Sequence, residues 1–133
     1  MSFFYDAIKL RALAPCELRR RESKVQLWEV LAPIGYVTSA GPITVPAEFV
    51  SDFASVPRPA KLVIDDDDPR ILAGSILHDY VYSRRGHMER GILTREQADG
   101  LLREAMLACG ASALLAGLVY RAVRLGGAGH WKR

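Results

Sequence analysis

Three polar residues in the second half of the chain, His78, Asp79 and Asp99, are of the types that move protons or hold a cation. A histidine that works as a base needs an acceptor on its other ring nitrogen to fix the tautomer. Asp79 is adjacent to His78 in sequence, so on a helix it points about 100° away and does not orient the ring. Asp99 lies far enough along for a loop and an antiparallel return, and packed helices run about 8–10 Å apart. A His78–Asp99 contact across two helices is therefore a candidate catalytic dyad. Tyr82, one turn after His78, is placed to donate to the same carboxylate, and Asp79 is left as a candidate metal ligand. The same residues also allow a structural reading. Arg95 and Arg103 flank Asp99 at four-residue spacing, as on an exposed salt-bridged face, and His78 would then be a buried histidine bonded to backbone.

Other candidates are weaker. Asp52, between strand and loop, is a candidate ligand for a hard cation or an Asx-turn residue. Ser55 lacks the glycine context of a nucleophile elbow. The run Asp65 to Asp68 lacks the alternating ligand spacing of a calcium loop and reads as a solvated loop ending in a helix cap. His87 and His130 stand alone and receive no role.

The elements that must position these residues fall into two compositional halves, 1–58 and 59–133, of one expected domain. The first half is rich in Val, Ile, Tyr and Thr, broken by Pro and Gly, which predicts short strands at 8–13, 24–31, 36–39 and 43–45. Ala40-Gly41-Pro42 reads as the turn between the last two. The second half is helical. Asp68-Pro69 predicts a helix start, running over 69–83. Thr94 with Gln97 forms a capping box for a second helix, which ends at Cys109 before Gly110. A third spans 112–125, followed by glycines and a short basic tail. Gly74, one turn before His78, is expected to leave open space beside it. The fold class is thus α+β: a small antiparallel N-terminal sheet followed by three helices, the first two an antiparallel pair.

Bulk properties narrow the function classes. The net charge is +3, and the clusters Arg19-Arg20-Arg21 and Arg84-Arg85 lack interleaved aromatics, so nucleic-acid binding is not expected. Arg84 and Arg85 are candidate contacts for lipid phosphates. Two cysteines make neither a disulfide framework nor a zinc pattern. No signal-peptide pattern opens the chain, and no apolar run approaches a membrane span. A soluble protein made in the cytoplasm is expected.

Two resemblances add to this. Trp28-Glu29-Val30-Leu31, Ile43-Thr44-Val45-Pro46, the segment 49–58 (FVSDFASVPR), His78 through Tyr82, Arg95 with Ala98-Asp99, and Tyr120-Arg121-Ala122-Val123 followed by Gly and Trp131 together resemble a family of small phage and prophage proteins classed as a domain of unknown function. That resemblance implies a phage or prophage origin, so synthesis in the bacterial host cytoplasm is expected, with virion or lysis proteins as the expected partners if the protein is structural.

The second is local. His78-Asp79-x-x-Tyr82, with Ala98-Asp99 on a following helix, is similar to the active-site helices of secreted phospholipases A2, above all the bacterial and parvoviral-capsid versions. It implies that His78 activates a water, Asp99 orients His78, Asp79 binds calcium and Tyr82 braces Asp99, for hydrolysis of a phospholipid ester at a membrane surface. The glycine-rich calcium loop of those enzymes is absent, so residues 52–57, with Asp52, would have to stand in for it; their disulfides are absent too. The alternative function is a non-enzymatic tail, head or lysis-cassette component in which the same polar network is structural.

Overall fold

A computed structural model describes residues 3–51 and 68–131; Asp52, Ser55 and Asp65 fall outside them. Alternation sets the two N-terminal sheets. In β4 (Ile34–Thr38) the side chains of Ile34, Tyr36 and Thr38 are buried, and in β5 (Gly41–Val45) those of Ile43 and Val45 are. These two strands pair antiparallel, Tyr36 opposite Ile43, and β1 (Phe4–Tyr5) adds to the other side of β4. The order is β1-β4-β5, which leaves β5 at an edge. Pro42 sits on that edge strand, where a missing N–H is tolerated. A second sheet has the order β2-β3-β6, from Leu10–Ala12, Trp28–Val30 and Val50–Ser51.

The expected N-terminal antiparallel sheet is therefore two three-stranded sheets, in which β2 and β3 are shorter than predicted and β4 and β5 each begin two residues earlier. The turn also shifts: Ser39 and Ala40 make it, because Thr38 pairs with Gly41 and its hydroxyl bonds both Ala40 N and Gly41 O. A short helix, α1 (Pro15–Arg20), was not expected between β2 and β3. Its signals are local. Pro15 occupies the first turn, and the Glu17 carboxylate accepts the Ala14 N–H at 2.9 Å.

The helical half follows its cap signals closely. α2 spans Leu72–Ser83, three residues later than Pro69. Asp68-Pro69 forms the preceding turn instead: the Asp68 carbonyl accepts the Ile71 and Leu72 N–H groups, and its carboxylate accepts the Arg70 N–H at 2.8 Å. α3 (Arg95–Ala108) starts with the Thr94–Gln97 capping box and ends before Gly110, whose φ is +94°. α4 (Ala113–Gly126) is capped by Ser112. A last turn, α5 (Ala128–Trp131), replaces the expected tail. β7 (His87–Met88) and β8 (Gly91–Ile92) form a hairpin between α2 and α3.

Two apolar clusters hold these layers. Ile34, Tyr36, Ile43 and Val45 from the sheet meet Ala73, Ile76, Leu77 and Val81 of α2, and the Tyr36 hydroxyl donates to Ala73 O at 2.7 Å. Leu102 and Met106 of α3 pack against Ala116, Val119 and Val123 of α4. Tyr5 stacks on Tyr36 and Phe3 packs against it at a tilt, whereas Phe4 faces solvent. Cys16 and Cys109 are both free thiols.

Two glycines fix how α2 and α3 meet. A methyl group on Gly74 would lie 2.9 Å from Ala105 Cβ and 3.0 Å from Leu102 Cδ1. The expected open space beside His78 is therefore absent; Gly74 is where the second helix packs close. Gly86 has φ +80°, and a methyl there would run into the Leu93 carbonyl oxygen, whose residue pairs with Gly86 across the hairpin. Gly86→Ala is expected to lower the urea midpoint by the equivalent of at least about 2 kcal/mol. Gly100→Ala, on α3 with nothing near the added methyl, should instead raise stability by about 0.5–1 kcal/mol.

Candidate functional site

Helical spacing puts His78 and Tyr82 on one face of α2, one turn apart, with ring centroids 4.3 Å from each other. The antiparallel return of α3 sets Asp99 opposite both. The His78 Nε2 lies 2.7 Å from Asp99 Oδ1, and the Tyr82 hydroxyl donates to the same oxygen at 2.6 Å. All three residues are buried, His78 and Asp99 completely. The structure thus brings together the three residues expected to form the dyad and its brace.

The second carboxylate oxygen reveals what sequence reasoning missed. Arg124, near the C-terminal end of α4, donates to Asp99 Oδ2 at 2.9 Å, and Arg95 lies 3.6 Å from it. Arg95 also bonds the Val123 and Arg124 carbonyls at 3.1 and 3.0 Å, so a cation closes the C-terminal end of α4 where the helix dipole is negative. Asp99 is consequently not part of an exposed salt-bridged face. Of its two flanking arginines, Arg95 turns inward to it, and Arg103 lies over the Tyr120 ring. Gly127 is needed for this closure: a methyl there would sit 2.6 Å from the Tyr82 hydroxyl.

Charge follows from these partners. Burial pushes the Asp99 carboxyl up, but the bonds from His78, Tyr82 and Arg124 outweigh it and hold the group below its ordinary value. Burial, aided by the ionised Asp99, raises the Tyr82 phenol, so it stays a donor. An ionised Asp99 accepts from His78 Nε2–H, which orients the ring. Because the folded carboxyl is depressed, the unfolded chain takes up this proton first as pH falls. The stabilisation is complete above about pH 4 and is lost as pH drops toward the folded value. Asp99→Asn should flatten part of the acid limb of a stability–pH curve. Another part persists, because the Arg11 bonds lower Glu17 to about 2.

A match to a protein-family model covers residues 28–123. The chain belongs to the DUF1353 family. Its members are described as proteins of unknown function. No curated protein and no solved structure matches the chain. The DUF1353 region holds His78, Asp79, Tyr82, Arg95 and Asp99, and stops one residue short of Arg124.

Asp79 faces away from the dyad, as one-residue spacing requires, and accepts the Ser51 hydroxyl at 2.6 Å. Calcium takes six to eight oxygen ligands. Among the described residues of this DUF1353 protein, Asp79 and Ser51 supply one carboxylate and one hydroxyl, and no group of three acidic, His or Cys side chains converges. These residues alone do not form a calcium shell, and Asp52, the other candidate ligand, lies outside them. Among the described residues no helix is long and apolar enough to cross a membrane.

Proposed function

We propose that this protein is a phage- or prophage-encoded hydrolase of lipid esters, with His78 as general base and Asp99 as the group that orients it. The observation that carries the reading is the 2.7 Å contact between His78 Nε2 and Asp99 in a fully buried setting, braced by Tyr82. In this scheme the His78 imidazole, oriented by Asp99, takes a proton from water as the water oxygen bonds to the ester carbonyl carbon. Asp99 stabilises the imidazolium formed. The same proton then passes to the alkoxide as the carbon–oxygen bond breaks, leaving a carboxylic acid and an alcohol. Arg95 and Arg124 also lie beside Asp99, so its carboxylate is held between them and the His78 ring. Calcium at Asp79 belongs to the phospholipase resemblance, and no step here is routed through it.

A second reading has its own support. Among the described residues no buried side-chain polar atom lacks a partner. A closed network of this kind specifies helix packing, as a non-enzymatic virion or lysis component would need.

The deciding experiment is fatty-acid release from phospholipid vesicles, with and without calcium, by the wild type and His78→Asn. Release by the wild type that disappears in a folded His78→Asn establishes the hydrolase. Wild-type silence under both conditions, or an equally active variant, overturns it. Asp79→Asn in the same assay tests the metal: lost calcium dependence assigns it to Asp79.

A further inference from the structure

The end of α2, the β7–β8 hairpin and the edge strand β5 enclose a cleft of about 340 Å³ that the dyad does not use. Its floor is apolar, from Ile43 and Met88, and its polar wall comes from Thr44, Tyr80, Arg84, Glu89 and Arg90. A volume in this range suits a small ligand or headgroup.

The cations are the informative part. Neither Arg84 nor Arg90 is paired with a carboxylate among the described residues. Arg84 is nevertheless held in place. Its Nε donates to the His87 carbonyl at 2.8 Å, and its guanidinium lies 6.0 Å from the centre of the Tyr80 ring. Tyr80 in turn is fixed edge-on by Phe49, 5.4 Å away. The backbone bond uses Nε and leaves both terminal nitrogens for a ligand, the fork that recognises phosphate oxygens. Thr44 adds a hydroxyl.

Glu89 sets the ligand's charge. Two guanidiniums and one carboxylate give the wall a net charge of +1 (two minus one), which one phosphodiester neutralises and a phosphate dianion exceeds. A smaller hollow of about 120 Å³ continues from Ile43, Met88 and Arg90 to Ile92 and Leu93. It offers an apolar seat next to the charged one.

We propose that this cleft binds a monoanionic phosphate diester carrying an apolar substituent, with Arg84 and Arg90 on the phosphate. The diester is either a soluble one or the headgroup of a phospholipid. The inference goes beyond the hydrolase reading and does not depend on it, because no residue of the dyad lines the cleft.

Two binding measurements on the full chain test it. One is calorimetry with dibutyl phosphate, a soluble monoanionic diester with apolar substituents. The other is co-sedimentation with phosphatidylglycerol vesicles. Binding to the soluble diester assigns a free ligand, and binding to vesicles alone assigns a lipid headgroup; either supports the site. In both cases Arg84→Gln with Arg90→Gln should weaken binding on the order of tenfold or more. Glu89→Gln should tighten it, and His78→Asn should leave it unchanged. Neither probe binding at millimolar concentration, or affinity untouched in the double variant, would overturn the proposal. The two arginines are exposed, so the variants are expected to fold, and circular dichroism checks this.

Discussion

Asp99→Ala is expected to lower folding stability by about 3–5 kcal/mol, the range seen when one member of a buried charged pair is removed. The loss exceeds that of one contact because three hydrogen-bond donors and one further cation converge on this carboxylate from three helices. His78 and Tyr82 come from α2, Arg95 from the start of α3 itself, and Arg124 from α4. Truncation leaves the Arg124 guanidinium, itself only partly exposed, without its carboxylate. Asp99→Asn retains the volume and one acceptor, so it should lose less. Urea denaturation of both variants at neutral pH measures the effect. A midpoint for Asp99→Ala within experimental error of the wild type would mean that the network contributes nothing net.

The second large effect concerns rate. If the lipid-ester reading holds, His78→Asn removes the base, and general base catalysis contributes about 10²–10⁴-fold. Hydrolysis should fall by that factor. Asn keeps a polar amide near Asp99, so stability should fall by much less than in Asp99→Ala. Tyr82→Phe separates the two roles further. It removes one of the two donors to Oδ1 and leaves the base, so its activity should fall far less than that of His78→Asn. Equal losses in both variants, tracking their unfolding midpoints, would assign the network to packing alone.

How far the sequence could be read depended on whether the signal was local. The capping box at Thr94–Gln97 and the glycine at 110 mark helix ends within a few residues of chain, and the helix they bound is the one observed. The His78–Asp99–Tyr82 contact needed only four-residue spacing and one antiparallel return. The two basic residues on the other carboxylate oxygen required knowing where the end of α4 crosses α3, which no spacing in α4 encodes. Arg103 and Arg95 are equally spaced from Asp99, and only the packing of α4 decides which turns inward. The antiparallel N-terminal sheet is legible in the alternation, but its division into two sheets is not, for a similar reason. Pairing β1 with β4 and β2 with β3 skips over α1, whose Pro15 and Glu17 are plain start signals set inside a stretch whose composition favours strands. Arg90 carries no local signal, because its cleft exists only when the hairpin folds against β5.

The position of Trp131 has an optical consequence. Its indole stands edge-on to Tyr82, with ring centres 5.1 Å apart, and it is one of two tryptophans in the chain. The other, Trp28, sits in β3, the central strand of the second sheet. Emission from Trp131 therefore samples the dipoles around Tyr82 and, through it, the charge on Asp99. A Trp28→Phe protein would carry a built-in fluorophore next to the dyad, able to follow protonation or ligand arrival there in real time without any added label.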